Sequence, residues 1–376
     1  MADTITYLTT TRFGWGAVEL LPQELAELGI RKPLLVTDPG IARLPLLDRV
    51  RGMLPEGYAL FTETPGNPTE AAVDKAFDAY KHAACDGLVA LGGGSAMDLA
   101  KAVALRATHA GQLAEYALIE GGASRIGPVA PLVAIPTTAG TGSEVGRGAL
   151  ITLRDGRKLA LISPHLIPAR AICDPELTLG LPPLLTAATG MDALTHCIET
   201  FLSPRHNPPA DAIALDGAAR AMRFLPRAVA DGGDREARAE MMMAALEGGL
   251  TFQKGLGAVH GLSHALGALP NPVLHHGTLN AVILPAVLRF NAPAAADKYP
   301  RLARAMGLAE DADLAGAIED LNARLGLPRS LRQMGVTEAH RERAVAGALA
   351  DHSTASNARP VSRADYEAMF DAALNG

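Results

Sequence analysis

Residues 86–101, DGLVALGGGSAMDLAK, decide the fold class of this chain. An apolar run of strand length enters three consecutive glycines, and Ser95 then stands where a helix N-cap residue is expected. Glycines let a phosphate approach the backbone, and the free N–H groups at a helix start attract an anion. The segment therefore predicts a strand–loop–helix unit that binds phosphate, although an ordinary glycine-rich turn has the same local pattern.

The rest of the first half repeats this alternation of strand and helix. Apolar strand-like runs (KPLLVTD, YALFTET and APLVAIPTT) are separated by helical stretches such as TEAAVDKAFDAYKHA. Alternation of this kind gives a parallel sheet with helices on both faces. One segment differs, because GALITLRDGRKLALI holds Asp155-Gly156 between two alternating runs and predicts a tight β-hairpin. The first half is thus predicted to be an α/β domain.

A second, all-helical domain is predicted from about Pro182 onwards, where strand-like runs almost vanish. Helical periodicity continues through ADAIALDGAARAMRFL, REARAEMMMAALEGGL and DLAGAIEDLNARLG. The stretch Leu181-Pro182-Pro183 marks the boundary, because a residue that precedes a proline disfavours the helical conformation. We predict a dinucleotide-binding domain over residues 1–182 and a helical metal-binding and substrate domain over residues 183–376.

The composition describes a globular protein. With 376 residues, 48% of them hydrophobic and 20% charged, the chain is long enough for two domains and too apolar to be disordered. A net charge of −6 without a basic stripe argues against a nucleic-acid partner. The longest apolar run, NAVILPAVLRF, is too short to span a membrane, and the start MADTITYLTT lacks the pattern of a signal peptide. Widely spaced cysteines in apolar contexts fit a reducing compartment, so a cytoplasmic location is predicted.

A second loop, PTTAGTGSE over residues 136–144, also follows an apolar strand. Two such loops at the ends of parallel strands favour a dinucleotide over one chance turn. The sequence lacks the usual G-x-G-x-x-G fingerprint in a suitable context, so a bound dinucleotide would use another kind of loop. Asp38 ends the run LLVTD, where a carboxylate can bind the adenosine ribose and repel a 2′-phosphate. Asp38 fits equally well as a plain turn residue before Pro39-Gly40, and both interpretations stay open.

Metal-competent side chains occur at helical spacing in the second half. Asp192 and His196 are four residues apart, which places both on one helical face. His260 and His264 repeat this spacing, and the pair at 275–276 follows in a short loop. One carboxylate and three imidazoles suit a divalent metal such as Fe(II) or Zn(II). Asp192 is the strongest metal-ligand candidate of this set, since a buried aspartate needs a cation or a hydrogen-bond network.

The other histidines have no such neighbours in the sequence. A single histidine is more often a satisfied core or surface residue than a metal ligand. We therefore predict surface positions for His82, His109, His165, His206, His340 and His352.

At these residues the chain resembles the iron-dependent (group III) alcohol dehydrogenase family. The resemblance covers nearly the whole length through the motifs PGNPT, GGGSAMDLAK, PTTAGTGSE, DPELTLGLP, TGMDALTHCIE and GAVHGLSHALG. It implies a Rossmann-like NAD(P) domain followed by an all-α domain, the architecture that this family shares with dehydroquinate synthase. It also implies an active site between the two domains and a homodimer or larger homo-oligomer.

The same resemblance assigns site residues by position. It places metal ligands at Asp192, His196 and His260, with a fourth histidine. The nearby conserved histidine of the family falls on His264. Cofactor contacts fall on Asp38, Asn67, Gly93, Gly94, Ser95, Asp98, Thr137, Thr138 and Lys158. The implied cofactors are NAD in preference to NADP, and Fe(II) or alternatively Zn(II).

One loop departs from the family pattern. The segment LPNPVLHHG, residues 269–277, is slightly longer than usual before the last ligand and carries a doubled histidine. We choose His276 as the fourth ligand, because His-Gly followed by TLNAVILP keeps the family register, and His275 stays an alternative. The longer loop borders the expected substrate pocket, so the substrate of a relative does not transfer directly.

The resemblance and the ligand set together predict metal-assisted hydride transfer between a nicotinamide and a small alcohol, aldehyde or ketone. His264 is the candidate proton relay, with a purely structural role as the alternative. Metal-independent maleylacetate reductases are a second possibility, but they usually lack this ligand set. A lyase of the dehydroquinate synthase type needs basic residues that the segments around Asp192 and His260 do not supply. A nucleotide sensor without catalysis would leave the ligand set unexplained.

Overall fold

The computed structural model describes residues 9–376, so most of the stretch MADTITYLTT, which is predicted not to be a signal peptide, lies outside the described residues. The chain divides into two compact units. The first unit holds residues 9–138 and 142–179, and the second holds residues 139–141 and 180–376. The domain boundary at residue 182 stays a prediction.

A parallel β-sheet forms the centre of the first unit. The strands of this unit are β1 Thr10–Phe13, β2 Pro33–Val36, β3 Ala59–Phe61, β4 Gly87–Gly92, β5 Leu132–Pro136, β6 Gly148–Thr152, β7 Lys158–Ile162 and β8 Arg170–Cys173. Within the described residues, six of them form one sheet in the order β1-β8-β5-β4-β2-β3, and every neighbouring pair is parallel. The predicted α/β fold class is confirmed.

Helices cover both faces of this sheet. They are α1 Leu21–Glu27, α2 Pro45–Arg51, α3 Glu70–His82 and α4 Gly94–Thr108. Successive strand residues point to opposite faces, so Leu34 joins the core beneath α3 and α4 while Leu35 joins the core beneath α1 and α2. Because both faces are covered, β2, β4 and β5 are buried at every position, which explains their continuous apolar runs.

The glycine loop after β4 starts its helix earlier than the sequence indicated. Gly93 takes the N-cap position without a side-chain cap, and α4 begins at Gly94. The prediction that Ser95 caps this helix is wrong, because Ser95 lies inside the first turn and its hydroxyl donates to the Gly66 carbonyl at 2.5 Å. Gly92 has a φ of 151°, a conformation that favours glycine, and a Cβ there would lie 2.9 Å from the Ala96 side chain.

The predicted hairpin is also present. Strands β6 and β7 pair antiparallel as a separate two-stranded sheet of the described chain. Gly156 supplies the positive φ of 84° that the turn requires. The hairpin follows the second glycine loop. Lys158 is the first residue of β7 and comes directly after the turn.

The second unit is helical, as predicted. Its helices are α5 Pro183–Leu202, α6 Pro208–Ala230, α7 Arg235–Leu250, α8 Ala258–Gly267, α9 His276–Asn291, α10 Tyr299–Ala305, α11 Leu314–Arg324, α12 Arg341–Ala350 and α13 Arg363–Asn375. Helix α5 is the central element, because it packs against α6, α7 and α9 and is buried from Thr186 to its end. Among the helices of residues 9–376, none has both the length and the apolar character to span a membrane.

Candidate metal centre and cofactor loops

Helix α5 carries an aspartate and a histidine through the core of the helical unit. Asp192 and His196 are only 2% and 4% exposed, although the neighbouring α5 residues are mostly apolar. Their four-residue spacing puts both side chains on one face, with Asp192 Oδ1 3.5 Å from His196 Nε2. A charged side chain at this depth requires a compensating partner.

Two further histidines converge on the same carboxylate oxygen. Asp192 Oδ1 lies 3.9 Å from His260 Nε2 on α8 and 3.6 Å from His276 Nε2. His276 is the first residue of α9 and not a loop residue as the sequence suggested. The ligand atoms of Asp192, His196, His260 and His276 all lie within 4.8 Å of one another. We call these four residues the ligand group.

The spacing in the ligand group fits a bound cation better than hydrogen bonds. Separations of 3.5, 3.6 and 3.9 Å exceed normal hydrogen-bond lengths. Ligand atoms arranged tetrahedrally at about 2.1 Å from a metal are roughly 3.4 Å apart. Burial lowers the pKa of His196 to about 4, so this imidazole is neutral and its nitrogen lone pair is available. The donor set is therefore suited to a divalent transition metal.

The doubled histidine separates into two different roles. His275 is the N-cap residue of α9, and its Nδ1 accepts a hydrogen bond from the Thr278 backbone at 3.4 Å. Burial lowers the pKa of His275. Only His276 contributes an atom to the ligand group.

Glu199 is a residue of this site that the sequence analysis missed. Its Oε2 lies 2.6 Å from His260 Nδ1, and its Oε1 accepts the Val259 N–H at 2.8 Å. Burial opposes protonation of His260, but the hydrogen bond and charge of Glu199 outweigh it and raise the pKa of His260. A carboxylate in this position fixes the ring so that Nε2 faces the ligand group. The available signal was spacing, because Glu199 follows Asp192 by seven residues, two helical turns along the same face.

Asn280 is a second missed residue. It lies one turn after His276 on α9, is fully buried, and donates from Nδ2 to Asp192 Oδ1 at 2.7 Å. This bond holds the aspartate oxygen in place among the imidazoles. The four-residue spacing from His276 was again the signal that sequence reasoning overlooked.

His264 lies beside the ligand group but outside it. Its ring stacks on His276 with centroids 5.3 Å apart, and its Nδ1 is 2.9 Å from Asp351 Oδ2. The prediction that His352 is an isolated surface histidine is wrong. Its side chain is only 23% exposed and its ring stacks on His264 at 5.9 Å, because Asp351 and His352 follow α12, which packs along α8.

The predicted cofactor residues of the first unit gather at the carboxyl edge of the sheet. Strands β4 and β5 end side by side, with Gly92 opposite Pro136. A Cβ on Gly93 would lie 3.4 Å from Thr138 Oγ1, so the two glycine loops are adjacent. Asp38 stands next to this edge, where its Oδ1 accepts the N–H groups of Gly40 and Ile41 at 2.7 and 3.1 Å. The strand order reverses between β2 and β4, and α/β sheets bind ligands at such a point.

Hydrogen bonds tie the remaining loops of this edge together. Lys158 Nζ donates to Asn67 Oδ1 at 3.0 Å, which connects the hairpin to the loop before α3. Ser95 binds the carbonyl of Gly66 in that same loop. Thr137 is buried, and its N–H donates to the Gly92 carbonyl at 3.0 Å. The loops thus form one connected surface.

Asp98 has a different environment from the other cofactor candidates. Its two carboxylate oxygens accept hydrogen bonds from Ser143 Oγ at 2.8 Å and Leu150 N at 3.0 Å. Burial raises the pKa of Asp98 in spite of the nearby Lys101. The carboxylate thus connects the second loop, through Ser143, to the hairpin, through Leu150. A cofactor contact of Asp98 stays a prediction.

Comparison with known protein families decides the class of the molecule. Residues 9–175 match the family described as iron-containing alcohol dehydrogenase, and residues 186–374 match the C-terminal part of that family. The chain belongs to the iron-containing alcohol dehydrogenase family. This alcohol dehydrogenase is an oxidoreductase, and the predicted family, fold and enzyme class are confirmed.

Individual relatives match this alcohol dehydrogenase over nearly the full length. A 4-hydroxybutyrate dehydrogenase of Cupriavidus necator is 56% identical over 98% of this chain and 99% of its own. A 1,3-propanediol dehydrogenase of Klebsiella pneumoniae is 37% identical over 95% of each chain. Among solved structures, a 1,3-propanediol oxidoreductase superimposes with a TM-score of 0.92 at 36% identity, covering 99% of this chain and 100% of the other. A sulfoacetaldehyde reductase from Bifidobacterium kashiwanohense, solved with NAD+, has a TM-score of 0.87 at 30% identity, covering 99% of both chains.

Proposed function

We propose that this alcohol dehydrogenase transfers a hydride between NAD(H) and a small primary alcohol or its aldehyde, and that it depends on a divalent metal. The observation that supports the proposal most strongly is the convergence of four ligand atoms from three helices within 4.8 Å. Asp192, His196, His260 and His276 are the proposed ligands. Fe(II) is the proposed metal, with Zn(II) as the substitute that the same donors accept.

The chemistry of the site divides between the metal and the chain. A bound Fe(II) or Zn(II) supplies Lewis acidity, worth several kcal/mol toward charge on a substrate oxygen. The chain holds this chemistry in a buried setting, since Asp192 and His260 are 2% and 1% exposed. His264 is the proposed proton relay, because its ring adjoins His276 and its Nδ1 is hydrogen bonded to Asp351.

We propose that the edge of the sheet in the first unit binds the dinucleotide. The N–H groups at the start of α4, from Gly94 and Ser95, and the neighbouring Gly93 suit a pyrophosphate. Further proposed cofactor contacts are Asn67, Thr137, Thr138 and Lys158. Asp98 is proposed either to contact the cofactor or to support the second loop. The charge of the half-buried Asp38 favours NAD over NADP, since a 2′-phosphate would meet a carboxylate. The similar sulfoacetaldehyde reductase solved with NAD+ agrees with this choice.

The relatives narrow the proposed substrate. One of them is a 4-hydroxybutyrate dehydrogenase at 56% identity, and another is a 1,3-propanediol dehydrogenase at 37%. Both names describe short molecules with a terminal hydroxyl group. We therefore propose four-carbon ω-hydroxy acids first and short diols second.

We also propose a cytoplasmic location and a homodimer or larger homo-oligomer. The location is supported by Cys85, Cys173 and Cys197, which are buried free thiols suited to a reducing compartment. The oligomer is supported by the family resemblance, and light scattering of the purified protein would measure its mass.

The proposed function is tested by removing and restoring the metal. The purified enzyme is treated with chelator, reconstituted with Fe(II) or Zn(II), and assayed for NADH with 4-hydroxybutyrate, 1,3-propanediol and ethanol. We expect NADH to accumulate with at least one of the first two substrates, and only after reconstitution. Full turnover by the metal-free enzyme would contradict the proposal and favour a metal-independent reductase.

A further inference from the structure

A second group of potential ligands lies beside the first. His264, Asp351 and His352 place their ligand atoms within 4.8 Å of one another. Asp351 Oδ2 is 2.9 Å from His264 Nδ1, and Asp351 Oδ1 is 3.5 Å from His352 Nδ1. We call these three residues the second group.

The chemistry of the second group suits a transition metal. Two imidazoles and one carboxylate form a common donor set for divalent first-row ions. Ligand atoms about 2.1 Å from an ion are roughly 2.9 Å apart in an octahedral and 3.4 Å apart in a tetrahedral arrangement. The 3.5 Å between Asp351 Oδ1 and His352 Nδ1 is close to the tetrahedral value, whereas the 2.9 Å between Asp351 Oδ2 and His264 Nδ1 is also the length of an ordinary hydrogen bond.

Like the ligand group, whose His276 side chain is 28% exposed, the second group is partly open to solvent. The His264 and Asp351 side chains are 7% and 12% exposed, whereas that of His352 reaches 23%. A cation can therefore enter from the side of His352, and water can complete its coordination. Three protein ligands with a position left for water are typical of catalytic zinc sites.

The two groups are adjacent but share no ligand. His264 is stacked between His276 and His352, with ring centroids 5.3 and 5.9 Å away and interplanar angles of 13° and 17°. This ring separates the two sets of donor atoms. A second ion would consequently occupy a site of its own and not a bridged two-metal centre, where ions stand about 4 Å apart.

Orientation of His264 by Asp351 explains only part of this arrangement. That role needs the 2.9 Å bond from His264 Nδ1, and the Ser353 N–H already occupies Asp351 Oδ1 at 2.8 Å. His352 faces the same carboxylate, with its Nδ1 3.5 Å from Asp351 Oδ1 and its ring nearly parallel to that of His264. In the ligand group, too, more than one imidazole faces a single carboxylate.

We propose that His264, Asp351 and His352 bind a second divalent transition-metal ion, of the class of Zn(II) or Co(II). The site is separate from the metal centre of the proposed function. An ion bound there would replace the hydrogen bond between Asp351 and His264 Nδ1, the proposed proton relay, and its binding depends on His352, which contributes nothing to the ligand group.

The test is the metal stoichiometry of the full chain. Metal-free protein is dialysed to equilibrium against Zn(II), and bound metal is measured by mass spectrometry. We expect about two ions per wild-type chain and about one in His352→Ala and in Asp351→Asn. His82→Ala, which removes an exposed histidine of α3, is the matched control and should retain about two.

A further variant keeps the two sites distinguishable. Asp192→Asn should lose the ion of the ligand group and retain the one bound by the second group. One ion per wild-type chain, with no change in His352→Ala, would overturn the second site and leave the proposed function intact. One ion that is lost in His352→Ala and kept in Asp192→Asn would support the second site and remove the first. Thermal melts of each variant confirm that the fold is retained.

Discussion

The carboxylates of the cofactor loops and the carboxylate of the ligand group have different hydrogen-bond partners. Asp38 and Asp98 accept hydrogen bonds of 2.7 to 3.1 Å from N–H and O–H groups of the chain itself. Asp192 Oδ1 has one such donor, Asn280, and otherwise faces three imidazole nitrogens 3.5 to 3.9 Å away. The loop carboxylates are therefore hydrogen bonded within the chain. We propose instead that Asp192 and its three imidazoles are held together by a cation, with Asn280 Nδ2 3.3 Å from Nε2 of His260 and of His276.

This contrast orders the expected effects of substitution. Substitution of a side chain whose main partner is an ion should abolish binding of the metal. Substitution of a side chain that is already hydrogen bonded within a loop should change cofactor affinity or cofactor preference by a smaller factor. The following substitutions test that order, beginning with the largest effect.

Asp192→Asn should have the largest effect. The substitution removes the only carboxylate of the four residues in the ligand group and leaves the helix intact. We expect loss of the metal and a decrease in kcat/KM of roughly 1,000-fold, corresponding to about 4 kcal/mol of transition-state stabilisation. Metal analysis and steady-state kinetics measure both. Asp297→Asn, which changes an exposed aspartate of the same unit, is the control. Wild-type turnover by Asp192→Asn would contradict the proposed dependence of the ligand group on a metal.

The doubled histidine should separate into a ligand and a cap. His276→Ala removes one of four ligands, so metal affinity should fall by roughly 100-fold, or about 3 kcal/mol. His275→Ala should leave metal affinity nearly unchanged and lower the free energy of unfolding by about 1 kcal/mol, because it removes the cap of α9. Metal titrations and chemical denaturation measure these effects. The reverse assignment would hold if His275→Ala were the variant that lost metal.

Glu199→Gln should have an intermediate effect. The single amide oxygen can accept from His260 Nδ1 or from the Val259 N–H but not from both, and the negative charge that raises the pKa of His260 is lost. We expect metal affinity to fall by about 10- to 100-fold, as is usual when such a supporting carboxylate is changed. Competition with a chelator of known affinity measures the change. Glu56→Gln, an exposed residue of the first unit, is the control, and equal affinities in both variants would refute an orienting role for Glu199.

Asp38→Asn should have the smallest effect. The amide oxygen can still accept the Gly40 N–H, so the turn is preserved while the charge is lost. The ratio of kcat/KM for NADP to that for NAD should rise about five- to tenfold, the effect of about 1 kcal/mol of charge repulsion. Initial rates with both cofactors measure this ratio. An unchanged ratio would remove Asp38 from the choice of cofactor.

The same contrast explains how much the sequence alone could predict. The strand, loop and helix of residues 86–101 lie next to each other in the chain, so local spacing was sufficient to place them. The helix start was displaced because Gly93 can occupy the N-cap position without a side chain, which left the Ser95 hydroxyl to bind Gly66. Local rules identify the residues of such a loop better than their hydrogen-bond partners.

The ligand group depends on contacts that are distant in sequence. A four-residue spacing places two side chains on one helical face, but it does not decide that His260 faces Asp192 while His264 faces Asp351. That outcome follows from the packing of α8 against α9 and α12. The positions of Glu199 and His352 depend on the same packing, and this is why the first was missed and the second was misplaced.

The most direct test of the account is the position of the metal. Crystals of the enzyme reconstituted with Fe(II) are measured at the iron absorption edge, so that an anomalous difference map locates the ion. We predict a peak about 2.1 Å from Asp192 Oδ1 and from Nε2 of His196, His260 and His276. A map with iron bound elsewhere, and with these four side chains paired only to one another, would contradict it.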